Sequence, residues 1–131
     1  MDKQTEQRLL LAAHQACTHS YSPYSGYPVG AAVLTPSGKI YAGTNIENAS
    51  YGATMCAERT AVFKAVSEGE REILALAVVT TADSLPVPCG MCLQVLAEFA
   101  ADIPVVLQGK NAQQGCKLSD LLPQRFDKNS L

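Results

Sequence analysis

Apolar positions along the chain fall into two rhythms. Leu9, Leu10, Ala13, Ala16 and Cys17 recur at helical spacing, which predicts a first helix over residues 5–20. Residues 21–28 break that rhythm with two prolines and a glycine among polar aromatics, and read as a loop. Residues 29–34 and 39–44 read as strands. Thr35-Pro36-Ser37-Gly38 between them has turn chemistry, proline second and glycine fourth, so the pair is expected to form an antiparallel hairpin.

Helical spacing returns over residues 56–68, where Ala57, Ala61, Val62, Ala65 and Val66 make an apolar stripe and Gly69 is placed to stop the helix. The near-continuous apolar run over 73–79 marks a strand covered on both faces. A third helix is expected over 90–100, burying Val95, Leu96 and Phe99. Residues 104–107 read as a further strand, 116–118 as a last short one, and 119–122 as a capped helical turn. A hairpin followed by helix–strand–helix–strand crossovers implies a mixed five-stranded sheet with helices on both faces. The expected fold class is α/β, a three-layer α/β/α arrangement, and 131 residues suffice for it as one domain, 1–131.

Composition narrows the functional classes. A chain with 47% hydrophobic and 17% charged residues suits a compact protein and not a disordered one. The formal net charge is −2 and no Lys/Arg run exists, which argues against a nucleic-acid partner and leaves a small substrate. No apolar stretch approaches the roughly 20 residues that span a bilayer. The N-terminus lacks a signal peptide's basic start and cleavage site. The expected location is therefore the cytoplasm, with no membrane partner. Thiols stay reduced there, so five cysteines point to metal or catalysis before disulfides.

Cys56 opens the second predicted helix, and Cys89 and Cys92 open the third. Consecutive right-handed crossovers put these helices on one face with their N-termini side by side, so the three thiols converge. Helix N-termini carry roughly half a positive charge each and favour thiolates. Three thiolates around Zn2+ leave one negative charge in excess, which the helix ends and the nearby Arg59 offset. Three protein ligands also leave a fourth tetrahedral position for water, the catalytic arrangement. Glu58, two residues after Cys56, can take a proton from that water and hand it on. Cys-x-Glu with Pro-Cys-x-x-Cys matches the three-cysteine form of the zinc-deaminase signature. Alone, Cys89-Gly90-Met91-Cys92 also fits a thiol redox pair, but that assignment leaves Cys56 and Glu58 without purpose. A closed structural zinc site needs a fourth ligand, and the two histidines, His14 and His19, both belong to the first helix. Cys17 and Cys116 read as small core hydrophobes.

Further segments extend the match: Tyr27-Pro28-Val29-Gly30-Ala31-Ala32, Asn45-Ile46-Glu47-Asn48-Ala49-Ser50-Tyr51, Cys56-Ala57-Glu58-Arg59-Thr60-Ala61, Lys64-Ala65-Val66-Ser67-Glu68-Gly69 and Leu121-Leu122-Pro123. Over residues 21–126 the chain closely resembles small cytidine deaminases. The resemblance implies one zinc per subunit, a homotetramer with shared active sites, and hydrolysis of cytidine and deoxycytidine to uridine and deoxyuridine with release of ammonia, a step of pyrimidine salvage. Carried over by position, it gives zinc to Cys56, Cys89 and Cys92 and the proton shuttle to Glu58. Asn45 and Glu47 would bind the ribose, and two positions apart in an extended segment they face the same way. Tyr27 would pack against the pyrimidine, the Ala57 N–H would bind its 2-oxo group, and Phe126 would close a neighbouring subunit's pocket. Arg59 and Gln94 are expected to support the thiolates electrostatically.

Two residues depart from the family's usual Pro-Cys-Gly-Ala-Cys-Arg-Gln. Met91 replaces the alanine and is expected to reshape the pocket wall; Leu93 replaces the arginine and removes a guanidinium. They leave open a same-fold deaminase acting on a modified cytosine nucleoside or nucleoside antibiotic.

Overall fold

Gly38 turns the chain back on itself: its N–H donates to the Thr35 carbonyl at 2.9 Å, and its φ of 86° is one that glycine adopts without strain. The turn joins β1 (Val29–Leu34) to β2 (Ile40–Thr44), the antiparallel hairpin that proline and glycine there predict. The computed structural model describes residues 1–131. The remaining elements are α1 (Lys3–Cys17), α2 (Ala57–Ser67), β3 (Ala75–Thr80), α3 (Gly90–Phe99), β4 (Pro104–Gln108), β5 (Gln113–Lys117) and α4 (Leu118–Leu121).

The sheet has five strands in the order β2-β1-β3-β4-β5. β1 is antiparallel to β2 and β3, β3 is parallel to β4 through α3, and β5 is antiparallel to β4. Alternate residues of each strand face opposite layers. Ala31, Val33, Leu76, Val78, Val105 and Leu107 pack with Ala61, Val62 and Ala65 of α2 and Leu93 and Leu96 of α3. On the other face Ala32, Ala77, Val79 and Val106 pack against Leu9, Ala13 and Cys17 of α1. This is the expected three-layer arrangement. All six residues of β3 are buried, as its unbroken apolar run requires. No helix is long and apolar enough to cross a membrane.

The element ends depart from expectation where capping and edge effects decide them. α1 begins at Lys3 because the Asp2 side chain accepts from the Thr5 N–H at 2.7 Å, and it stops at Cys17, three residues early. Beyond it, His19 and Ser20 donate to the Ala16 and Cys17 carbonyls in a tighter turn. Ile73 lies outside β3 in an isolated bridge to Ala100. β5 starts at Gln113 and has no apolar alternation, since it is an edge strand with an exposed polar side. Val95 and Phe99, expected in the core, are half-buried at its margin, and Leu93 takes the deeper place. Two single 3-10 turns, Tyr51–Ala53 and Lys128–Ser130, carry no apolar rhythm that would announce them.

Candidate active site

Cys56 and Cys89 occupy the same position on two helices. Each is the N-cap residue, of α2 and α3 respectively, with extended backbone (φ −73°, ψ 154° and φ −72°, ψ 167°) and no side-chain bond to the first-turn N–H groups. Ser, Thr, Asp or Asn at such a position normally turns its side chain onto the first-turn N–H groups. Here the two sulfurs leave those groups uncapped and approach each other to 3.9 Å. Cys92, in the first turn of α3, completes the group with its Sγ 3.6 Å from that of Cys89. All three sulfurs lie within 4.8 Å of one another. Thiolates on one tetrahedral zinc, with bonds of about 2.3 Å, stand about 3.8 Å apart. The donor set fits that ion.

The electrostatics suit anionic sulfur. Arg59 donates from Nη2 to Cys56 Sγ at 3.3 Å. The adjoining Cys92 thiol, and then Arg59, hold the Cys56 thiol down at about 5 against the opposing effect of burial. The Cys92 thiol is held up, as the partner that keeps its proton for Cys56 and by its burial. Glu58 follows in the first turn of α2 and is only 5% exposed. Burial pushes its carboxyl up to about 7, the Cys56 thiolate pushes the same way, and its own N–H and Arg59 pull it partly back. A carboxyl poised there can both take and release a proton near neutrality.

These groups open onto a cleft of about 290 Å³, near the small end of ligand pockets. Cys56, Ala57, Glu58 and Cys89 line it together with Tyr27, Asn45 and Glu47. The helix start leaves the Ala57 N–H without an intrahelical partner. Glu47 accepts at Oε1 from the backbone N–H groups of Tyr24 (2.9 Å) and Ser25 (3.0 Å), and at Oε2 from the Ser25 hydroxyl. The Ser25 hydroxyl first, and then those N–H groups, hold its carboxyl below the usual range. Asn45 is more occupied than its sequence position suggests. Its Oδ1 accepts from the Val29 N–H (3.0 Å) and the Ser20 hydroxyl (2.6 Å), and its Nδ2 donates to the Tyr27 carbonyl (2.8 Å). One amide N–H remains to offer a ligand.

A Cys-x-Glu at one helix start and a Cys-x-x-Cys at another, meeting in one cleft, match residues 3–108 to the family model described as cytidine and deoxycytidylate deaminase zinc-binding region. The chain belongs to this family. It is 49% identical over 122 residues to the cytidine deaminase of Halalkalibacterium halodurans, covering 92% of each chain. It is 46% identical over 127 residues to that of Sporosarcina psychrophila, covering 95% of this chain and 93% of the other. The crystal structure of cytidine deaminase from Burkholderia pseudomallei superposes with a TM-score of 0.87 at 41% identity, over 96% of this chain and all of that one. The zinc cofactor implied by the sequence agrees with both the family and the sulfur geometry.

Two expected roles are not met by position. Gln94 is exposed and donates to the Phe126 carbonyl at 2.6 Å instead of supporting the thiolates. Two residues after Cys92 on a helix, its side chain leaves on roughly the opposite side. Met91 is 64% exposed and does not line the cleft, so it does not reshape the wall, and Leu93 is buried in the core. The two departures that raised a modified substrate therefore stand apart from the cleft. Phe126 is 60% exposed and is absent from the cleft of its own chain. His14 and His19 are exposed and belong to no metal-ligating group. Sequence reasoning missed Ser25, Pro86 and Val87 as lining residues, because their places follow from loop paths and not from any local pattern.

Proposed function

We propose that this chain deaminates cytidine and deoxycytidine hydrolytically, giving uridine and deoxyuridine with release of ammonia. The carrying observation is that Cys56 and Cys89, whose sulfurs cluster with that of the buried Cys92, line one nucleoside-sized cleft together with Glu58 and Glu47. Cys56, Cys89 and Cys92 would hold the zinc, which would lower the pKa of the attacking water. Glu58 takes a proton from the attacking water and places it on ring N3 as the oxygen adds to C4. It then takes the remaining proton from that oxygen and passes it to the amino group, so that the C4–N bond breaks, ammonia leaves and C4 becomes a carbonyl. The Ala57 N–H donates to the 2-oxo group, Tyr27 packs on the base, and Glu47 with the free N–H of Asn45 binds the sugar. Arg59 offsets the negative charge of the sulfurs.

The cleft lining contains two carboxylates, Glu47 and Glu58, and no Lys or Arg. That balance repels a phosphate, which supports a nucleoside over a nucleotide within a family whose model covers both. The whole chain is read as one deaminase domain. The Phe126 ring, 60% exposed on a tail whose backbone carbonyl is held by Gln94, supports assembly into a homotetramer in which Phe126 closes a neighbour's pocket. All five cysteines are free, which supports a reducing cytoplasmic location and a role in pyrimidine salvage there.

The test is ammonia release from a panel of cytidine, deoxycytidine, cytidine monophosphate, free cytosine and base-modified cytidines, with metal analysis of the same sample. Turnover of the two nucleosides with about one zinc per chain is expected. Release from the monophosphate alone, or from none of the panel by zinc-loaded protein, would overturn the proposal.

A further inference from the structure

Ser25 lies in the cleft beside Glu47 but takes no part in the reaction described above. Its hydroxyl donates to Glu47 Oε2 and its N–H to Oε1 at 3.0 Å. The same hydroxyl oxygen accepts from the Tyr27 N–H at 3.0 Å. One side chain thus ties the sugar end of the cleft to the base end. The turn that presents it is itself fastened, with Gly26 at φ 64° donating to the Ser22 carbonyl at 2.9 Å. The backbone of Glu47 hangs on the same segment: its N–H donates to the Tyr21 carbonyl at 2.8 Å, and the Tyr21 N–H to the Asn45 carbonyl at 3.1 Å.

A glutamate at a half-exposed site samples several rotamers, and a ligand that uses it must freeze them at the moment of binding. Fastening the side chain beforehand removes that loss of affinity. A carboxylate has about four acceptor positions, and the two backbone donors and the Ser25 hydroxyl fill three of them. About one acceptor position is left, enough for a single hydroxyl of the sugar.

We propose that Ser25 is a positioning residue that fixes the Glu47 carboxylate for one sugar hydroxyl and thereby sets the KM for nucleosides. This rests on the nucleoside-deaminase function proposed above. Because the Ser25 hydroxyl is remote in role from proton transfer, its loss should appear in KM and not in kcat.

The experiment compares steady-state kinetics of the zinc-loaded wild type, Ser25→Ala, Ser25→Thr and Glu47→Gln on cytidine and on 2′,3′-dideoxycytidine. For Ser25→Ala, KM for cytidine is expected to rise about tenfold with kcat within about twofold. Ser25→Thr, which keeps a hydroxyl, is expected to restore most of that loss. On the dideoxy substrate, which keeps the 5′-hydroxyl but lacks the 2′- and 3′-hydroxyls from which Glu47 is proposed to read one, wild type and Ser25→Ala should coincide. If Glu47→Gln itself leaves KM for cytidine unchanged, the sugar-binding role of Glu47 fails, and this proposal with it. If Glu47→Gln is impaired while Ser25→Ala keeps the wild-type KM, loses kcat instead, or is equally impaired on both substrates, the role of Ser25 alone is overturned.

Discussion

Arg59 and Cys56 stand three residues apart on the first turn of α2, with the guanidinium Nη2 3.3 Å from the sulfur. The Arg59 Nε is buried without a hydrogen-bond partner, so the side chain is held where it is by the attraction to sulfur and by packing. A buried donor left unpaired is unfavourable, and its presence here indicates that the placing of the positive charge outweighs it. Arg59→Ala should therefore lower zinc affinity by roughly 10- to 100-fold, the usual effect of losing a group that supports a ligand. Competition against a chromophoric chelator measures this. An unchanged affinity would assign Arg59 to packing alone.

Glu58→Gln separates metal binding from proton transfer. The amide keeps the shape of the carboxyl in its nearly closed site but cannot accept a proton. The variant should hold zinc as the wild type does while kcat falls by about 10²- to 10⁴-fold. Zinc content by mass spectrometry and ammonia release on one preparation check both halves. Stripping zinc from the wild type should abolish turnover and lower the unfolding temperature, both recovering on re-addition of zinc.

Gly30 in β1 marks where α1 comes closest to the sheet. A Cβ built there would lie 2.0 Å from the Ala13 carbonyl oxygen and 2.8 Å from Cys17 Cβ. The first of these is backbone of a packed helix and cannot swing aside. Gly30→Ala should cost about 3 kcal/mol, at the upper end of overpacking effects. Gly115→Ala, where a Cβ meets nothing within 4 Å, should cost nothing by the same urea titration.

Glu70 fastens the β1–β2 turn to the end of α2 through one oxygen. Its Oε2 accepts from the hydroxyls of Thr35 (2.7 Å), Ser37 (2.7 Å) and Tyr41 (2.9 Å). The Ser37 and Thr35 bonds, with Tyr41 and the nearby Lys39 adding to them, hold its carboxyl below the ordinary glutamate value of 4.5. A depressed native pKa means stability that is fully present above 4.5 and lost as pH falls through the native value. Glu70→Gln should therefore unfold a few degrees below wild type at neutral pH, and the gap should close on acidification below pH 4.5. Thermal unfolding of both proteins across that range decides it, and a gap that persists unchanged at low pH would remove the ionic contribution.

What could be read from the chain was local or periodic. Pro36 and Gly38 specify a turn within four residues, and the β3 run specifies burial on both faces, so both were legible. The metal group was legible for a different reason: Cys56 and Cys89 are both N-cap residues, and the crossovers that set helices side by side bring N-caps together. Side-chain direction and distant pairing were not legible. Gln94 leaves α3 on the side of Phe126 because two residues of helix turn it by about 200°. The grip of Ser25 on Glu47 spans 22 residues with no spacing rule to announce it. β5 extends beyond any apolar signal because Gln113, Gln114 and Gly115 pair through backbone, with their side chains exposed.

Phe126 poses the remaining question, since its ring is exposed while Gln94 fixes its carbonyl on α3 and Arg125 donates to the Ala97, Ala100 and Ala101 carbonyls at the end of that helix. The tail is thus anchored on its own chain with the ring presented outward. If the ring closes a neighbour's cleft, defects in Glu58 and Phe126 must complement each other across subunits. Phe126→Ala alone should raise KM by about tenfold, and Glu58→Gln alone should be nearly inactive. Mixed oligomers, formed by denaturing and refolding the two together, contain clefts with an intact Glu58 closed by the intact Phe126 of the other variant. A fraction of the enzyme should then recover the wild-type KM. Mixtures whose KM stays that of Phe126→Ala would place the action of Phe126 within its own chain.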